Sequence, residues 1–200
     1  MSKFMKKYSE QFYHGFRIRE NYEPYIWNED LLDAIECNFK AAKRIHKTRT
    51  LTGRFEFTFP KHHIGTCEFL FSAFIAEFVK HFPPEFQLFY MWVREQEESN
   101  HPHYHLQLWV SKESKQSLHR LYIYASVLWC KHLNIPVMKG YVHRDPEYTI
   151  RWKQGYSPDN QQLSKAFRHA AYIAKTKEKS LTAKNAMLYG CSNISRELES

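Results

Sequence analysis

The sequence has no CxxC pair, no low-complexity tract and no internal repeat. No apolar run approaches the ~18 residues that a membrane-spanning helix requires. Each absence removes a class of protein. The four cysteines, Cys37, Cys67, Cys130 and Cys191, stand far apart. Neither a zinc ribbon nor a dithiol redox centre is therefore expected, and free thiols in a reducing cytoplasm are. The first residues, Met1-Ser-Lys-Phe-Met-Lys-Lys-Tyr8, are basic but no apolar stretch follows them, which is not the order of a secretory leader. A cytoplasmic chain without membrane association is expected. Acidic residues are the scarcer charge: 21 Asp+Glu oppose 29 Lys+Arg, giving +8 before the 12 histidines are considered. A 43% hydrophobic and 16% aromatic content is too apolar for a disordered basic tail. A length of 200 residues suits one domain with a full core. The positive excess points to phosphate, and nucleic acid is the commonest polyanion such a domain meets. Charge alone does not separate an enzyme from a binding module.

The hydrophobic pattern divides the chain into alternating elements. Asn28 can cap a helix whose first turn holds Glu29 and Asp30 and whose apolar stripe is Leu31, Leu32, Ile35, Phe39, Ala42 and Ile45. Its end is rich in cations: Lys40, Lys43, Arg44, Lys47 and Arg49. These suit the negative end of the helix dipole, and a DNA-backbone contact is the other reading. Arg54-Phe-Glu-Phe-Thr-Phe-Pro60 alternates, with Phe55, Phe57 and Phe59 on one face and Glu56 and Thr58 on the other, as a half-buried strand does. A helix is expected over 67–82, closed by Pro83-Pro84, then strands over 86–97 and 103–110 joined by a polar turn at 98–102. Helical spacing returns over 114–132. Two short strands, 140–143 and 148–153, flank Asp145-Pro146, which is read as a turn without a role. A final helix is expected over 161–177. The predicted fold is α+β, an antiparallel central sheet backed by helices, with an N-terminal helical extension over 1–50 and a main domain over 51–195.

The strand His103-Tyr-His-Leu-Gln-Leu-Trp-Val110 is the most informative segment. Alternation puts Tyr104, Leu106, Leu108 and Val110 on an apolar face and His103, His105 and Gln107 on the other. Two imidazoles two residues apart can hold one divalent cation from a flat sheet, and two solvated histidines are the plainer reading. A hairpin about 98–102 would set Glu97 opposite His103 and Glu95 opposite His105, and opposed residues share a face. Either carboxylate would complete a site suited to Mg²⁺ or Mn²⁺, with Glu95 preferred because it lies deeper in the sheet. In the last helix Tyr172-Ile-Ala-Lys175 puts a phenol and an ammonium on one face, and Lys165, Arg168 and His169 continue that stripe. A cation beside a phenol stabilises developing phenolate. His62 and His63 point apart on an extended chain and are read as loop residues, while His143 and Arg144 are read as surface or DNA-facing.

The order of these pieces resembles the histidine-hydrophobe-histidine (HUH) endonucleases, which include rolling-circle replication initiators and relaxases. The resemblance is nearest to inovirus-type replication initiators and related prophage proteins. It covers about residues 55–192 and is carried by Phe-Glu-Phe-Thr-Phe-Pro60, Trp92-Val-Arg-Glu95, His101-Pro-His-Tyr-His-Leu106, Ala171-Tyr-Ile-Ala-Lys175 and Leu188-Tyr-Gly-Cys-Ser192. It implies an HUH palm in which His103, His105 and Glu95 hold Mg²⁺ or Mn²⁺. Tyr172 would be the nucleophile and Lys175 its electrostatic partner. Thr58, Lys165, Arg168 and His169 are the expected DNA contacts. The implied activity is nicking of single-stranded or hairpin DNA at a replication origin through a 5′-phosphotyrosine intermediate. No second tyrosine lies one helical turn from Tyr172, so a single-tyrosine mechanism is expected. No helicase domain follows the motifs, so a host helicase and polymerase are the expected partners. A short chain favours replication over a relaxase role. A non-catalytic DNA-binding regulator on a degenerate HUH scaffold is the alternative.

Overall fold

A computed structural model describes residues 7–8, 11–18, 26–63, 67–95, 101–111, 117–137, 140–176 and 189–192. The strands are β1 (Lys7–Tyr8), β2 (Phe12–Tyr13), β3 (Phe16–Arg17), β4 (Ile26–Asn28), β5 (Arg49–Phe57), β6 (Phe89–Glu95), β7 (His103–Ser111), β8 (Val142–Arg144), β9 (Tyr148–Arg151), β10 (Lys175–Thr176) and β11 (Tyr189–Cys191). The helices are α1 (Glu29–Ile45), α2 (Cys67–Lys80), α3 (Leu118–His132) and α4 (Gln161–Ala171). The chain is an α+β protein whose main sheet has six antiparallel strands, ordered β11-β6-β7-β5-β8, with β9 also paired to β5. Residues before α1 contribute short pairings of β2 with β3 and of β4 with β1 and β10.

β5 begins at Arg49, five residues before the alternation that announces it. The boundary expected between residues 50 and 51 falls inside this strand. α1 starts where expected: the Asn28 side chain accepts from the Leu31 amide at 3.2 Å and satisfies one of the donors that a helix start leaves open. α1 also packs on the sheet. Leu32, Ile35 and Phe39 share a core with Phe89, Met91 and Val93 of β6, Trp109 of β7, and Leu163, Phe167 and Ala170 of α4. α2 and α3 form the other layer. Phe71, Phe74, Phe78 and Trp129 meet the even-numbered face of β7 (Tyr104, Leu106, Leu108, Val110) together with Phe55 and Phe57. Both faces of the central strands are thus covered over most of their length, whereas the sequence pattern announced only the face of even residues. α3 approaches β5 closely at Gly53, where an added Cβ would stand 2.6 Å from Leu118 Cδ1. Leu118 is fully buried and has little room to yield.

The last helix is shorter than expected. α4 stops at Ala171, Tyr172–Ala174 form a 3₁₀ turn, and Lys175 opens β10. The physical reason is an available edge: Lys175 and Thr176 pair with Trp27 and Ile26 of β4, so the backbone gains a ladder in place of another helical turn.

A polar chain runs through the core between α1 and the sheet. His46, which closes α1, has Nε2 2.7 Å from the Gln87 carbonyl, which can only accept. In the neutral ring Nδ1 then accepts from the Thr50 hydroxyl at 2.8 Å, and that hydroxyl accepts from Trp152 Nε1 at 2.8 Å. Two rows along, Gln107 Nε2 donates to Thr52 Oγ1 and the Thr52 hydroxyl to the Leu108 carbonyl. Thr50→Val keeps the shape and strands both His46 Nδ1 and Trp152 Nε1. The expected loss is about 1–3 kcal/mol of folding free energy, measured by urea unfolding.

Candidate active site

On the face covered by α1 and α4, exposure rises toward one end of the central strands. Trp109, Gln107 and Thr52 are buried, whereas His103, Glu56 and Glu95 are half-buried and His143 is exposed. Cross-strand register sets Val93, His105, Glu56 and His143 in one row and Glu95 with His103 in the next. The expected register is corrected by two residues: Glu95, not Glu97, lies opposite His103, because the connection between β6 and β7 spans 96–102 and not 98–102. Glu97 lies outside the described residues. Glu95 nevertheless reaches diagonally to His105, with Oε2 2.8 Å from Nε2. His103 Nδ1 stands 3.3 Å from Glu56 Oε1.

Two imidazoles and two carboxylates therefore share one corner of the sheet. His105 has only 7% of its side chain exposed, and its Nδ1 is buried with no hydrogen-bond partner among the described residues. The Nε2 of His105 faces the Glu95 carboxylate and His103 Nδ1 faces Glu56, and imidazole nitrogen with carboxylate oxygen is a donor set of the right kind for Mg²⁺ or Mn²⁺. The groups stand as two separate imidazole–carboxylate pairs. Among the described residues no three His, Cys, Asp or Glu side chains are gathered to hold a metal as they stand. His103, 44% exposed, and the one-third-exposed Glu56 and Glu95 have room to turn toward His105.

Tyr172 reaches this face through Arg54. The phenol ring, 46% exposed, lies on the Arg54 guanidinium at 4.7 Å. Arg54 stands opposite Gln107 and two residues before Glu56 on β5, hence on the face of His105. Its side chain is 9% exposed and is held by Asp145, whose Oδ2 accepts from Nε at 2.7 Å. Lys175 is not on the helix, yet its Nζ is 5.4 Å from the Tyr172 ring centre. Residues three apart lie one above the other in a 3₁₀ turn, so the spacing that α4 no longer provides survives in the tighter turn.

The expected DNA contacts divide. Lys165 is exposed on α4 and Arg168 is half-buried. Thr58 is half-buried just past β5, where its amide donates to the Tyr141 carbonyl at 3.0 Å. His169 is turned inward: its ring packs against Tyr148, and Nε2 stands 3.7 Å from Asp145 Oδ2. Burial, with the nearby Arg54 cation, pushes the imidazole down to about 4, and Asp145 offsets only part of this. It is neutral at pH 7 and braces the Arg54–Asp145 pair.

No protein family, curated protein or solved structure matches the chain. The site therefore stands on its own geometry.

Sequence reasoning missed Arg54, Glu56 and Asp145 as site residues. Glu56 alternates with Phe55 and Phe57, so its face was legible; nothing paired it with a histidine. Asp145 gave no signal, since its partner lies 91 residues earlier.

His169 also yields a pH prediction. The unfolded imidazole, near its ordinary 6.5, takes a proton before the folded one does at about 4. Its contribution to stability is complete above pH 6.5 and lost as pH falls toward 4, by up to about 1.4 kcal/mol per unit. In His169→Gln, thermal unfolding measured across that window is expected to show a shallower decline.

Proposed function

We propose that the chain is a metal-assisted, single-tyrosine nuclease and strand transferase of the HUH type. It nicks single-stranded or hairpin DNA to start rolling-circle replication of a phage, prophage or plasmid. One observation carries the reading: Tyr172, seated on Arg54, is on the same side of the sheet as His103, His105, Glu95 and Glu56. Placement on opposite sides would have ended it. The phenolic oxygen attacks the scissile phosphorus, the bond to the 3′ oxygen breaks, and the 5′ phosphate stays on Tyr172. The proton lost by the phenol is balanced by the one gained by the free 3′ hydroxyl, which serves as a primer. Because one phosphodiester replaces another, the step reverses and the strand can be rejoined. Arg54 and Lys175 place positive charge against the ring as negative charge develops on its oxygen. His103, His105 and Glu95, with Glu56 beside them, would hold Mg²⁺ or Mn²⁺, which when bound draws charge from the non-bridging phosphate oxygens. Unwinding and synthesis then fall to a host helicase and polymerase. Among the described residues no helix is long and apolar enough to cross a membrane.

A second reading has one observation in its favour. The histidines are closed onto carboxylates in pairs and not gathered about one position, as they would be in a DNA-binding regulator that has lost catalysis.

Labelled single-stranded DNA with Mn²⁺ or Mg²⁺ separates the two readings. The enzyme yields a covalent protein–DNA adduct on a denaturing gel, abolished in Tyr172→Phe and reduced at least about a hundredfold in His105→Ala. DNA binding without adduct in either metal would leave the regulator. In Arg54→Gln, adduct formation at saturating DNA is expected to slow by about tenfold to a hundredfold through loss of phenol positioning.

A further inference from the structure

At the other end of β5 the charged side chains among the described residues of β5, β9 and the segments flanking them are of a single sign. Arg49 and Arg151 are directly opposed on β5 and β9, and both are exposed. Like charges opposed across neighbouring strands repel. Lys47 just before β5 and Lys153 just after β9 are exposed as well. A hydrogen bond from the Trp152 amide to the Thr48 carbonyl, 2.9 Å, fixes the two segments side by side. None of these four cations is in an ion pair among the described residues. The cluster is remote from Tyr172. Arg49 lies seven residues along β5 from Glu56, on the order of 20 Å, and alternation turns it to the α2–α3 side of the sheet.

We propose that Lys47, Arg49, Arg151 and Lys153 form a second nucleic-acid surface that holds the backbone of duplex DNA. A repelling pair fixed in place is relieved by an anion between its members, and guanidinium groups match phosphate in geometry as well as charge. The surface lacks the marks of other partners. None of the exposed large apolar side chains belongs to these segments, and Trp152 between the two cations of β9 and its turn is buried. A membrane-binding patch would present apolar groups to insert, and a protein interface would have an apolar centre. Single strands are held by stacking bases on exposed aromatic rings. A duplex needs only its phosphates met. The surface depends on neither cleavage nor metal, and its test reads binding alone.

The experiment measures anisotropy of a short fluorescein-labelled DNA duplex against salt concentration. Arg49→Ala/Arg151→Ala is expected to bind at least about tenfold more weakly, with the slope of log K against log salt shallower by about 2. Lys80→Ala/Lys131→Ala, which removes the same charge from α2 and α3, is expected to stay within about twofold of the unaltered chain. Arg49→Lys/Arg151→Lys keeps both charges and is expected to keep the slope. Unchanged affinity and slope in the double alanine variant would overturn the proposal. An equal loss in the lysine control would reduce the effect to net charge and also overturn it. A slope as shallow in the charge-keeping variant as in the double alanine variant would also overturn it, since charge would then not be what the surface supplies. Weakened binding to phosphatidylserine vesicles with duplex binding intact would replace DNA by a membrane surface.

Discussion

A guanidinium that is nine-tenths buried must be paired, since an uncompensated charge in the interior costs several kcal/mol. Arg54 meets that requirement with Asp145 and with the His169 carbonyl, at 3.5 Å. Each partner belongs to a different part of the chain, so one cation ties the middle of β5 to the β8–β9 connection and to the last turn of α4. The flat outer face of the guanidinium is what Tyr172 lies on. The position of the phenol is therefore set by the ion pair beneath it as much as by the helix that carries it. His169 closes the arrangement from the side. Its ring stays neutral because burial and Arg54 both disfavour a second cation there.

The same sheet explains why reactive groups collect at one corner. Along β7 the α1–α4 face is buried under the helices, with Trp109 against Phe39 and Gln107 Nε2 bonded to Thr52. Exposure returns toward His103 and Glu56. Carboxylates are tolerated there because water still reaches them, and imidazoles because each has a carboxylate within reach. A fully covered face would have excluded such groups, and a fully exposed one would not have lowered the dielectric around them.

Much of this arrangement was legible in the residues themselves. Alternation in 55–59 and 104–110 placed the apolar faces correctly, and Asn28 marked the start of α1. Strand pairing was less so. Register depends on how many residues the β6–β7 connection uses, and composition does not state that, which is why Glu95 was set opposite His105 and not His103. The end of α4 escaped because an amphipathic stripe continues past Ala171. What stops the helix is an edge of β4 nearly 150 residues earlier in the chain. Arg54 and Asp145 were silent for the same reason: a long-range ion pair has no local pattern. Glu56 was placed on the right face, but its partner could be named only once β5 and β7 were known to be neighbours.

The paired state of the histidines determines what a divalent cation must overcome. Each imidazole–carboxylate contact, His105 with Glu95 and His103 with Glu56, is a favourable interaction that has to be exchanged for coordination. Ligands must also be unprotonated to bind. On the proposed reading, a phosphate entering the corner would bring negative charge that favours a cation held by His103, His105, Glu95 and Glu56. Cation and DNA strand are then expected to bind with positive coupling, each raising the affinity of the other by the same factor. A regulator that had lost catalysis would take up DNA without that coupling. The physical difference between the two readings thus lies in whether the DNA strand and the cation share the corner formed by His103, His105, Glu56 and Glu95.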